Sequence, residues 1–161
     1  MPANVEVTTP SDLEVTVTRV FNAPARRVYD AHTKPELVKK WLLGPDGWSM
    51  PVCEIDARVG GTYRYRWRNN ANPEQEFGTG GEFTEVEAPH RIVQTERMEG
   101  FDGQSLCTMI LTEHNRRTTL SITQKFETKQ ARDGAMATGM TDGMAASYDR
   151  LEEEVLDKEA A

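Results

Sequence analysis

The sequence predicts an α+β domain. A curved antiparallel sheet of about seven strands is closed by one long C-terminal helix over an apolar cavity. Three observations carry this expectation. Residues 13–21 alternate apolar and polar side chains with period two. Six further short strand candidates follow between residues 49 and 127, each pair separated by turn residues. Residues 130–158 carry an apolar stripe at helical spacing. The predicted order is strand, two short helices, six strands, long helix.

Residues 1–12, with Pro2, Pro10 and polar residues between them, read as a loose tail before a single domain spanning 13–158. Leu13, Val15 and Val17 alternate with Glu14, Thr16 and Thr18 in a half-buried strand that ends near Phe21. Asn22-Ala23-Pro24 breaks it, and Pro24 opens a short helix running from Arg26 to His32. Thr33-Lys34-Pro35-Glu36 starts a second helix, with Thr33 as its cap and Pro35 in its first turn. Leu37, Val38, Trp41 and Leu42 give that helix an apolar side, and Gly44-Pro45-Asp46-Gly47 ends it.

The next strands are predicted at 49–57, 62–68, 76–86, 91–98, 106–113 and 118–127. The gaps hold Val59-Gly60-Gly61, Asn69-Asn70-Ala71-Asn72-Pro73, Ala88-Pro89-His90, Glu99-Gly100-Phe101-Asp102-Gly103 and His114-Asn115-Arg116. Strands so close in sequence form an antiparallel meander, because parallel pairs need long crossovers. Gly78, Gly80 and Gly81 inside one strand predict a bulge or sharp bend.

Met136, Met140, Met144, Tyr148, Leu151 and Val155 then recur at steps of four, four, four, three and four. At ~1.5 Å per residue this helix would run about 40 Å, long enough to cross a sheet. The stripe must be buried, and the free face of the sheet is the available partner. A sheet of this size curls, and a curled sheet under one helix leaves space between them.

A chain of 161 residues suits one domain with one core. The composition, 37% hydrophobic and 28% charged, is that of a globular protein. A net charge of −7 repels phosphate backbones and anionic membranes, so neither nucleic acid nor a membrane surface is an expected partner. No apolar run approaches the roughly 20 residues that span a bilayer, and the N-terminus lacks the basic and apolar regions of a signal peptide. Cys53 and Cys107 fall in strand candidates and read as reduced, buried thiols. A cytoplasmic location is expected.

His32, His90 and His114 do not pair at ligand spacing, so no metal site is expected. No nucleophile elbow, P-loop or dinucleotide fingerprint is present, and no cofactor is expected. Glu54 and Asp56 share a strand face, as do Gln94 and Glu96. An inward carboxyl could act as an acid or base; carboxylates solvated or paired with arginine on the outer face are the favoured reading. In Tyr63-Arg64-Tyr65-Arg66-Trp67-Arg68, period two puts aromatics on one face and arginines on the other. Either the aromatics line the cavity, which is preferred, or arginines point inward to hold an anion.

The motifs also resemble a known family. Phe21-Asn22-Ala23-Pro24, Lys34-Pro35-Glu36-Leu37, Trp41 and Gly44-Pro45 are similar to the opening of the family related to the Hsp-90 ATPase activator. Asp56-Ala57-Arg58-Val59-Gly60-Gly61-Thr62-Tyr63 resembles its central motif. Gly139-Met140, Gly143 and Ser147-Tyr148-Asp149-Arg150-Leu151 resemble its C-terminal helix. The resemblance covers the activator's C-terminal domain and not its N-terminal, chaperone-contacting one. It implies a helix-grip fold of the START-related superfamily, which holds apolar ligands between sheet and long helix.

Three functions follow as expectations. The first is carriage or sensing of a small apolar molecule in a stress-related role, lined by Tyr63, Tyr65, Trp67, Met136, Met140 and Met144. Gly139 and Gly143, costly inside a helix, would mark close approach or free volume beside the cavity. Trp41 stands either at the mouth or as a plug in the core. The second is a chaperone-linked interaction module, and the third a cyclase- or dehydratase-type enzyme using a cavity carboxylate. Edge strands of an open sheet make a homodimer an expected possibility.

Overall fold

The structure, a computed structural model, describes residues 5–44, 46–100 and 102–159. Pro45 and Phe101, each within a predicted turn, and residues 1–4 of the predicted tail lie outside the described residues. The elements in chain order are β1 (Glu6–Thr8), β2 (Glu14–Phe21), α1 (Ala25–Thr33), α2 (Pro35–Trp41), β3 (Trp48–Ile55), β4 (Thr62–Asn69), β5 (Glu76–Glu87), β6 (Arg91–Met98), β7 (Ser105–His114) and β8 (Arg117–Lys125). They are followed by α3 (Lys129–Ala137), α4 (Met140–Leu151), a π-helical turn (Glu152–Leu156) and α5 (Asp157–Glu159).

The strands form one curved sheet in the order β1-β2-β8-β7-β6-β5-β4-β3, with every neighbouring pair antiparallel. Strands β3 to β8 are the predicted meander. β2 closes onto β8, with Val17 opposite Ile122 and Phe21 opposite Thr118. The eighth strand is β1. Where the sequence suggests a loose tail, Glu6–Thr8 pairs with β2 at the sheet edge, Val7 opposite Val17. All three β1 residues are exposed, so no apolar alternation announces the strand; backbone hydrogen bonds to β2 hold it.

The two short helices connect β2 to β3. Pro24 occupies the cap position of α1, and the Glu113 carboxylate on β7 accepts from the Ala25 amide at 2.7 Å. The expected cap of α2 is displaced. Thr33 ends α1, and its hydroxyl donates back to Tyr29 O; Lys34 precedes Pro35 at the start of α2 without a side-chain cap.

The C-terminal segment differs most from expectation. The predicted single helix is broken. Thr128 caps α3 by accepting from Ala131 N at 3.0 Å. The chain then turns at Thr138, and Gly139 adopts a left-handed conformation, φ 83°, before α4 begins. Glycine reaches that region without the steric penalty other residues meet, and there it separates two helices rather than sitting inside one. The helical stripe continues in register across the break, which is why periodicity alone reads as a single helix.

The core lies between the sheet's concave face and α4 with the π-helical turn. Phe21, Val28, Leu111, Leu120, Leu151, Val155 and Leu156 are at most 2% exposed there. Arg19, also inward on β2, is buried and bonds Asp149 at 2.6 Å and Glu152 at 3.1 Å, tying the sheet to the helix above it.

Candidate functional site

The concave face has two unlike halves. The strand registers place side chains in cross-strand rows on that face. One row runs Arg19–Leu120–Leu111, the next Val17–Ile122–Met109–Ile92. These rows are closely packed against Tyr148, Leu151 and Val155. The next row runs Val15–Gln124–Cys107–Gln94–Phe83, and beyond it Ser105 faces Glu96. Here the composition turns polar. Gln94, Glu96, Cys107 and Gln124 are only half-buried although they share the inner face with the core. The inner face is less completely covered at this end.

The aromatic strand borders the open half. Tyr63 and Trp67 are buried and Tyr65 half-buried, with Cys53 on β3 opposite Tyr65. Ring centroids stand 5.1 Å apart for Tyr63–Tyr65 and 5.9 Å for Tyr65–Trp67. The run continues to Phe77, stacked on Trp67 at 4.9 Å, and to Trp48, 5.4 Å from Phe77. Phe77 and Met98, 37% and 42% exposed, stand at its outer limit.

The arginines of β4 take the opposite face. Arg64 bonds Glu99 at 2.8 Å, Arg66 pairs with Glu99 and Glu76, and Arg68 pairs with Glu76. The acidic residues around them satisfy each guanidinium outside the sheet, which resolves the two readings of this strand.

One glycine makes the aromatic packing possible. Gly81 pairs with Tyr63, and a Cβ built on it would lie 1.9 Å from Thr95 O. In that confined space the Tyr63 hydroxyl passes β5 and donates to Thr95 O at 2.6 Å. The register shift of this strand falls between Phe83 and Glu85, past the three glycines expected to mark it, and the pairing with β4 runs through Gly78, Gly80 and Gly81 without a break.

The polar cluster is electrostatically coupled. Burial pushes the Glu96 carboxyl above its ordinary range, and a hydrogen bond from Gln124 partly opposes this. Gln124 also donates to Ser105 Oγ at 2.8 Å. Burial, followed by the Glu96 charge, raises the Cys107 thiol. Burial raises Tyr63 and Tyr65 too, and Glu96 adds to both. Cys53 is pushed up to about 11 by burial. Both thiols are therefore protonated at neutral pH and poorly suited to nucleophilic attack. Glu54 and Asp56 are exposed, so of the carboxylates singled out by sequence only Glu96 faces inward. The alternation that sets Gln94 and Glu96 beside Ile92 was the available signal; Ser105, Cys107 and Gln124 had none until the strands were paired.

The remaining predicted lining separates. Met144 is half-buried and packs against the main core, and Met136 and Met140 are half-buried. Gly139 and Gly143 are exposed, with nothing within 4 Å of a built Cβ. Neither makes a close approach to the sheet; Gly139 serves the helix break and Gly143 faces outward. Trp41 is a core plug rather than a gate. It is 4% exposed, donates from Nε1 to Ala31 O at 2.8 Å, and stacks on Tyr148 at 5.5 Å.

Two grooves of about 530 and 510 Å³ lie elsewhere, one at Thr18, Asn22 and Arg117, the other on the outer sheet face at Arg64, Glu82 and Arg97. Both are open to solvent and lined by charged side chains. Among the described residues no helix is long and apolar enough to cross a membrane, and no group of three or more His, Cys, Asp or Glu side chains is disposed to hold a metal ion.

Comparison with known proteins supports this architecture. The family described as Activator of Hsp90 ATPase homolog 1-like protein matches residues 22–155. A crystal structure from Rhodobacter sphaeroides is similar with a TM-score of 0.89 at 26% identity, covering 96% of this chain and 99% of that one. A protein from Chromobacterium violaceum is 32% identical, with a TM-score of 0.75 over 88% of this chain and 96% of its own. A protein described as an HSP90 activator from Plasmodium falciparum shares the fold at 20% identity and a TM-score of 0.55, covering 71% of this chain and 73% of that one. No curated protein sequence matches the chain.

Proposed function

Starting from the fact that the chain belongs to the Activator of Hsp90 ATPase homolog 1-like family, we propose that it binds a small apolar molecule between the sheet and the C-terminal helices. One observation carries the reading: the concave face is close-packed at the Leu120–Leu151 end and open at the Tyr65–Cys107 end. Folded domains fill their interiors to crystal-like density, so inward side chains left half-exposed define room for an occupant. Tyr65, Met98, Met144 and the polar row would surround it, with Phe77 and Met98 at the mouth. Met136 and Met140, flexible and beside the Gly139 break, suit an adjustable cover.

The test is displacement of Nile red, an uncharged fluorescent probe, together with native mass spectrometry of protein taken from cells. Probe binding that is lost on Tyr65→Arg, or a retained small molecule, is the expected result. No probe binding and no bound mass would end the proposal.

A second reading draws on the family and on the fold shared with the Plasmodium falciparum HSP90 activator. It holds that the domain contacts a chaperone of its host and raises its ATPase rate. An unchanged rate at saturating domain rejects it.

A further inference from the structure

The open half of the interior is polar in one particular sense: its ionisable groups are all acids. From β6 comes Glu96, from β7 Cys107, and from β4 Tyr63 and Tyr65; β8 contributes the uncharged Gln124. The strand register sets Val15, Phe83, Gln94 and Ser105 beside them on the inner face. No cation is among them. The nearby basic residues of the described chain are engaged elsewhere. Arg64, Arg66 and Arg68 bond Glu76 and Glu99 on the outer face. Arg132 donates to the carbonyls of Ser11 and Glu14. Arg19 is held by Asp149 and Glu152 under α4, in the packed half.

An anionic occupant would meet no countercharge in this space and would lie against a carboxyl group. A neutral occupant would leave Glu96 with Gln124 as its hydrogen-bond partner. A cation would meet a carboxylate and aromatic faces together, and tyrosine rings attract cations through their quadrupole. The chain's net charge of −7 draws the same class of molecule toward the surface.

We propose that the occupant is an apolar organic cation, a hydrophobic amine whose ammonium lies between the Glu96 carboxylate and the Tyr65 ring, with its hydrocarbon part along Met98 and Met144. This rests on the ligand-binding reading and narrows it to one chemical class. The C–N skeleton is unchanged in the process; the amine is held, not transformed. Because burial favours the protonated form of Glu96, an arriving ammonium draws the carboxyl back toward ionisation. Binding therefore weakens as pH falls and the carboxyl protonates.

The test uses the full chain and three ten-carbon probes of matched length: decylamine, decanol and decanoate, each competing with Nile red. Decylamine is expected to displace the probe at a concentration about tenfold below decanol, with decanoate weakest. The ratio of decylamine to decanol affinity should fall as pH is lowered, since Glu96 protonates while decylamine stays charged. Glu96→Gln should bring the ratio near one. Glu82→Gln, which removes an exposed outer-face charge of the same sign, should preserve it and so separates local recognition from the overall field. Decanoate binding as tightly as decylamine, or an amine preference that survives Glu96→Gln, would overturn the proposal while leaving ligand binding intact. Should Glu96→Gln fail to fold, the order of the three probes on the unmodified chain still decides. Nile red and all three probes failing to bind would remove both readings together.

Discussion

His32 provides an acid-sensitive element whose size follows from its surroundings. It lies in α1 against Trp41 and Tyr148, with ring centroids 5.1 and 5.9 Å away. Nδ1 stands 2.7 Å from Val28 O; a carbonyl only accepts, so Nδ1 carries the hydrogen and Nε2 is the bare nitrogen. Nε2 is buried without a partner. Protonating it would put an unpaired charge among aromatic rings, and burial accordingly pulls the pKa from 6.5 down to about 4. Between these values the unfolded chain binds a proton that the folded one does not. Stability therefore falls as pH drops through this window, and the loss is complete below about 4. The full effect is about 3 kcal/mol, of which about 2 kcal/mol is lost between pH 7 and pH 5. Urea unfolding of the wild type and His32→Phe at both pH values isolates it, because other titrating groups cancel in the difference. Phenylalanine keeps an apolar ring against Trp41 and cannot titrate. The wild type should lose about 2 kcal/mol more than the variant between the two pH values. Equal losses would refute the assignment of a buried, neutral imidazole.

Gly139, at the helix break, and Gly143, inside α4, should respond in opposite directions. Gly139→Ala forces a side chain into a left-handed conformation and should cost about 1 kcal/mol, whereas Gly143→Ala, exposed within α4 with open space at its Cβ, should add about 0.5–1 kcal/mol. Thermal melts of the two variants check this, and equal signs would contradict the break. Gly81→Ala should be more damaging than either, by about 3 kcal/mol or more, since its Cβ would run into the Thr95 carbonyl. Restoration by relaxed packing, seen as a wild-type melting temperature, would show that β5 can move there.

Much of the fold was legible because period two survives strand by strand. Tyr63, Tyr65 and Trp67 share an apolar face whatever the neighbours are, and the alternating arginines need water or acids on the other side. β1 was illegible because an edge strand exposed on both faces leaves no apolar pattern. The helix break was hidden for the opposite reason, the stripe running through it. Trp41 could not be assigned to mouth or core without α4, since Tyr148 is the residue it stacks on.

The sequence by itself determined most element types, the two-faced character of the aromatic–arginine strand and the resemblance to the family, because these depend on local periodicity and on motifs contiguous in the chain. Tertiary structure alone decided which side chains share the less covered end of the inner face. Glu96, Ser105, Cys107 and Gln124 come from three strands and meet only through cross-strand register. The physical reason is that a carboxyl's protonation and a cavity's preference for one charge depend on everything facing them. Those facing groups lie far apart along the chain and become neighbours only when the sheet closes.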